Sequence, residues 1–201
     1  MDPGSAHRSA HDDLQYIRRT LAAAGSFSSL SGSGMVVTGV LALATVVANL
    51  RLTGAPWDPK TRPAEALGMW AVLLVVSIAV GVWTSVLKAR RTGQVFWSPV
   101  LRKALWGYAA GMFLGAILTA GAIRGGQFNL LPEIWLGCYG AAMTAAGVMS
   151  VAPVRWMGVS FLALAAVAAW APSGAQLLLL GLGFGWLHVA FGAFIAWRHN
   201  G

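Results

Sequence analysis

"ALGMWAVLLVVSIAVGVWTSVL", residues 66–87, carries no charged residue from end to end. A bilayer's hydrocarbon core is about 30 Å thick, and roughly 17–25 mostly apolar residues in a helix cross it. A helix also satisfies its own backbone N–H and C=O groups, which lipid does not. The stretch therefore reads as a membrane span. Five more runs are nearly as apolar, with Glu133 and Arg155 their charged residues: 34–50, 104–123, 132–151, 154–171 and 176–197. Between the six lie the polar connectors "RLTGAPWDPKTRPAE", "KARRTGQVFWSPVLRK", "RGGQFNLL", "APVR" and "PSGAQ". The runs are continuous, without the alternating polarity of a membrane barrel, so helices are expected.

Composition agrees. Hydrophobic residues make up 57% of the 201-residue chain, above the ~45–50% usual in soluble proteins. Charged residues make up 10%, against about 25% normally. So few charges cannot coat a water-facing surface. The expected fold is all-α and polytopic, with six transmembrane helices. It divides into a cytoplasmic segment 1–33, a bundle 34–197 and a tail 198–201.

The connectors carry helix signals. Ser98-Pro99, Leu131-Pro132 and Ala152-Pro153 place proline in a first helical turn, where its missing N–H costs nothing. Ser173 and Gln176 have capping-box spacing. Ser31 or Ser33 can cap the first span.

Orientation follows from the basic residues. With the N-terminus inside, the cytoplasmic side holds Arg8, Arg18, Arg19, Lys88, Arg90, Arg91, Arg102, Lys103, Arg155 and Arg198. The other side holds Arg51, Lys60, Arg62 and Arg124. Ten against four places both termini in the cytoplasm. The net charge of +8 sits beside span ends, which points to anionic headgroups and not to nucleic acid. Arg18, Arg19, Lys88, Arg90, Arg91, Arg102 and Lys103 are the expected membrane-surface residues. Trp70, Trp106, Trp135, Trp156, Trp170 and Trp197 fall near span ends, as interfacial anchors do. Trp186 lies near mid-span.

Ahead of the first span, "DDLQYIRRTLAAAG" places Leu14, Ile17, Leu21 and Ala24 on one helical face. This reads as a short amphipathic helix at the interface. The Gly/Ser stretch after it has no lysine at P-loop spacing and no strand before it, so it reads as a connector. The polar-to-mixed start, with Asp2, Asp12 and Asp13, does not resemble a secretory signal.

Inside the spans, ionisable groups are scarce, and transporters and pumps commonly keep them there. His188 is the one deep in a span. Gly181, Gly185, His188 and Gly192 are spaced four, three and four apart, one face of an α-helix. Glycine faces let helices approach closely, so His188 is expected in a helix contact, neutral and hydrogen-bonded. A pH- or ligand-responsive site and a haem or metal ligand are its alternative roles, and haem would need a second ligand from another copy or subunit. Gly107, Gly111 and Gly115 form a doubled G-x-x-x-G continued by Thr119, and Gly140, Thr144 and Gly147 form a second row. His7 and His11 have metal-ligand spacing in the polar terminus. Cys138 has no partner for a disulfide and no adjacent activating group.

"DLQYIRRTLAAAGSFSSLSGSGMVVTGVLAL" resembles the opening of a group of uncharacterised bacterial membrane proteins. In these a short "YIR-T" helix and a small-residue loop lead into a Gly-rich first span. The resemblance covers about the first 45 residues and implies no activity. The expected protein is an integral protein of the bacterial inner membrane. It has no catalysis and no cofactor, and acts as an accessory, regulatory or sensory subunit. Its partners are the lipid bilayer and a protein neighbour or further copies of itself. A channel or carrier for a small neutral solute is the alternative, and a haem-bearing electron-transfer subunit the next.

Overall fold

A computed structural model of the chain describes residues 31–53, 63–93 and 96–198. Helix accounts for 91% of these residues, and no strand occurs among them. The elements are α1 (Gly32–Thr53), α2 (Pro63–Thr92), α3 (Pro99–Arg124), a 3-10 turn (Phe128–Leu130), α4 (Leu131–Gly147), α5 (Ala152–Trp170), α6 (Ser173–Leu180), a π-helical segment (Gly181–Leu187) and α7 (His188–Arg198). The last three form one continuous rod, Ser173–Arg198. The proposed interfacial helix and the first part of its Gly/Ser connector, with Arg18, Arg19, His7 and His11, lie outside the described residues, and the connector's last residues, Gly32 and Ser33, already belong to α1.

Five helical stretches are long and apolar enough to cross a membrane: Gly32–Leu52, Ala64–Thr92, Pro99–Arg124, Ala152–Trp170 and Ser173–Arg198. The expected sixth, α4, has 17 residues, about 25 Å at 1.5 Å per residue. The apolar run extends to 151, but the helix stops at Gly147. Residues 148–151 are consumed by the turn into α5, and Gly147 lets the two backbones cross. A Cβ there would lie 2.6 Å from the Arg155 backbone nitrogen.

The helix starts follow local chemistry. Ser31 Oγ accepts from the Gly34 N–H at 3.2 Å, and Ser98 Oγ accepts from Leu101 at 3.1 Å. Each satisfies an otherwise orphaned donor of a first turn. The capping box expected of Ser173 and Gln176 does not form. Ser173 is already helical, with Pro172 at the cap position. Gln176 instead donates to Ala168 O at 2.9 Å, adding a second bond to a carbonyl that also accepts the Ala171 N–H at the end of α5.

α2 packs on α1, α1 packs on the last rod, the rod meets α4 and α5, and α3 lies on α4. Glycine sets these contacts. A Cβ on Gly39 of α1 would lie 2.7 Å from Gly185 O, and one on Gly192 would lie 2.8 Å from Gly32 O. Gly140 of α4 and Gly158 of α5 face each other just as closely, with Thr144 against Gly158. Between α3 and α4, Gly107, Gly111 and Gly115 face Ala145, Ala142 and Cys138 in turn. In lipid such contacts rest on close van der Waals approach, because lipid is as apolar as the side chains.

Candidate functional site

The rod departs from α-helical geometry at "GLGFGWL", Gly181–Leu187. A π-helical turn bonds i to i+5 and holds about one residue more than an α-turn, and such turns often mark functional sites. Around it, residues that an α-helical reading places together meet different helices. Gly181, Gly185 and Gly192 all face α1, against Val46, Leu43 and Gly32 with Met35. His188 points elsewhere, to Tyr139 of α4 and Phe161 of α5. The expected shared face of three glycines and His188 is therefore corrected: the glycines on both sides of it meet α1, and the imidazole turns to α4 and α5.

His188 is buried, with 4% of its surface exposed. Its Nε2 lies 2.7 Å from Tyr139 Oη. Its Nδ1 is 3.4 Å from Gly183 O. A carbonyl oxygen can only accept, so Nδ1 is assigned the hydrogen, and Nε2 of the neutral ring then accepts from the Tyr139 hydroxyl. Both ring nitrogens are engaged within the chain. Haem or metal ligation through His188 would have to displace Tyr139, so the residues present do not fit that group. Among the described residues no three His, Cys, Asp or Glu side chains gather as a metal site requires.

Aromatic rings enclose the pair. Tyr139 packs on Phe161 at 4.8 Å and on Phe184 at 5.2 Å between ring centroids, and Phe184 stacks on His188 at 6.2 Å. Tyr108 of α3 meets Tyr139 edge-on at 6.2 Å. Gly183 makes room, because a Cβ there would lie 3.0 Å from the Phe161 ring and closer still to Leu136. Towards the other end, Trp70 of α2 packs on Trp135 at 5.8 Å and on Phe184 at 6.0 Å. Trp135 donates to Thr119 at 3.0 Å, and Thr119 donates to Gly115 O. Edge-to-face and tilted pairs of this kind are the favoured ring geometries.

Trp70 thus corrects the expected aromatic belt, being 6% exposed and turned inward, and Trp135 is half-buried beside it. The other belt tryptophans are exposed: Trp106, Trp156, Trp170 and Trp197. Lys88 is a second correction. Arg90, Arg91, Arg102 and Lys103 are exposed as membrane-surface residues should be, but Lys88 is buried. It lies on one helical stripe with Ser85 and Ala89, both also buried, and the neighbouring Thr84 abuts Gly34 of α1.

Sequence reasoning missed Tyr139 and Asn49. Tyr139 was legible as a phenol in mid-span, where a hydroxyl needs a partner. Asn49 is fully buried near the end of α1, three residues beyond Val46 on the stripe that meets the rod. Comparison of the chain with models of protein families, with curated proteins and with solved structures gives no match.

Proposed function

We propose that the chain is a six-span protein of the bacterial inner membrane, with both termini cytoplasmic, acting as an accessory or regulatory subunit of a membrane assembly. The observation that carries this reading is the filled interior. Where α4, α5 and the rod meet, rings lie 4.8–6.2 Å apart and the His188 imidazole is bonded inward. A solute carrier needs a cavity at that depth, and an enzyme needs an accessible reactive group. The outer helices are instead the available surfaces. α3 presents Trp106, Phe113 and Ile117 outward, and α2 presents Val72, Val75 and Trp83.

Six spans require α4 to cross with 17 helical residues, at the lower limit of roughly 17–25. The 3-10 turn Phe128–Leu130 directly before it extends its reach. The ten-to-four basic bias supports the orientation.

Purification of the full chain from native membranes in mild detergent tests the subunit role. Photo-crosslinking probes at Val75 and Phe113 should join the chain to one defined membrane protein, recovered in fixed ratio. A monodisperse preparation with no crosslinked partner, combined with solute uptake after reconstitution in vesicles, would replace this reading with a carrier.

A further inference from the structure

We propose that the groove between the start of α5 and the end of α7 holds one anionic phospholipid. The groove has a volume of about 600 Å³ and is lined by Pro153, Trp156, Ala190, Phe191, Phe194 and Arg198, among others. Its walls are apolar except at Arg198, whose guanidinium lies 5.9 Å from the Phe194 ring centroid. An acyl chain matches the aromatic wall, and a phosphate matches the guanidinium fork, which binds phosphate through two parallel hydrogen bonds. Basic pockets between transmembrane helices are sites of this kind.

Charge selects the occupant. The acidic residues among those described are Glu65 and Glu133, in the first turns of α2 and α4. Arg198 ends α7 beside the start of α1, where Gly32 abuts Ala196. The start of α1 lies against the late residue Thr84 of α2, and the start of α5 lies against the last residue of α4. Both glutamates therefore stand at the opposite end of the bundle. Among the described residues the groove's cation has no carboxylate to meet, and an anionic headgroup supplies the charge. A zwitterionic headgroup supplies it less well. The proposal rests on the chain crossing a membrane and is independent of the accessory role.

Native mass spectrometry of the full chain, released from detergent with equal phosphatidylglycerol and phosphatidylcholine, tests it. The wild type should retain one phosphatidylglycerol about tenfold over phosphatidylcholine, and Arg198→Gln should bring the ratio near one. Ala190→Trp fills the groove from its exposed side and should lower retention of both lipids with Arg198 intact. Arg102→Gln, an exposed cation on α3, should leave the preference unchanged. Parity of the two lipids in the wild type overturns the proposal. So does a preference that survives both Arg198→Gln and Ala190→Trp, since the cation and the cleft would then lie elsewhere, including in the N-terminal segment. Release of the bound lipid by inorganic phosphate would also overturn it, by showing a site for a free anion. Helix content and thermal midpoint establish that each variant is folded.

Discussion

Tyr139 Oη lies 2.7 Å from His188 Nε2, and this bond fastens α4 to the last rod just where the π-helical segment ends. Interhelical hydrogen bonds at membrane depth contribute about 0.5–2 kcal/mol, because the separated helices find other partners. Tyr139→Phe and His188→Leu should each lower the unfolding free energy by that amount, and the double variant should cost little more than either. His188→Gln should be milder, since an amide still donates and accepts. A double-mutant cycle in mixed detergent measures the coupling. Strict additivity would mean the two side chains do not depend on each other.

Gly111 shows where α3 depends on the absence of a side chain. A Cβ there would lie 2.8 Å from Ala142 Cβ and 2.9 Å from its backbone nitrogen. Gly111→Leu should therefore push α3 off α4, lowering the thermal midpoint and raising proteolysis in the turn after Arg124. Gly121 has open space around its Cβ position, so Gly121→Ala should be neutral or slightly stabilising, by up to about 1 kcal/mol through the unfolded chain. Equal effects at the two positions would remove steric closeness as the explanation.

Topology is read most sharply at the two ends of α4. In a Cys138→Ser background, cysteines at Thr92, Gln127 and Val148 all sit at exposed positions. They avoid Gly93 and Gly126, whose φ of +66° strains any side chain. An impermeant thiol reagent on intact cells should label Gln127→Cys and spare the other two. Labelling of Val148→Cys together with Gln127→Cys would mean that α4 dips into the membrane without crossing it.

Gln176 should matter more than its place at a helix start suggests. It is buried, and its amide holds Ala168 O, joining α5 to the rod across the turn. Gln176→Leu keeps the volume and removes the amide's bonds to Ala168 O and Ala171 O, while Ala168 O keeps the Ala171 N–H, so the cost should be about 0.5–1.5 kcal/mol. Thermal unfolding compared with Gln176→Glu, which cannot donate when ionised, would check it. A wild-type midpoint for Gln176→Leu would show that water replaces the amide.

The apolar runs revealed helices because length and lack of charge are strong signals in a bilayer. The row Gly107, Gly111 and Gly115 was equally plain, since small residues every fourth position have one geometric use. His188 was found, and so were its burial and a hydrogen bond across helices, but its partner Tyr139 and its facing away from the glycines were not. A pattern read at 3.6 residues per turn assumes an unbroken α-helix, and nothing in "GLGFGWLH" announces a π turn. Trp70 misled for a related reason. Nearness to a span end describes a tryptophan's depth, whereas its rotation about the helix axis decides whether it meets lipid or Trp135. Lys88 followed the same pattern, with its depth read correctly and its facing missed.

The π turn also changes what a deletion would do. It stores about one residue more than an α-helix needs over the same length, so the chain can lose a residue there without displacing either flank. Removing Leu182, which is exposed, should convert the rod to an unbroken α-helix that still docks through Gln176 at one end and Gly192 at the other. What would change lies between the flanks, including the Gly183 O that faces His188 Nδ1, while His188, at the start of α7, keeps Tyr139. In most transmembrane helices a one-residue deletion rotates everything beyond it by about 100°. Here the shortened protein should still assemble, with the Tyr139–His188 bond in place on an unbroken rod.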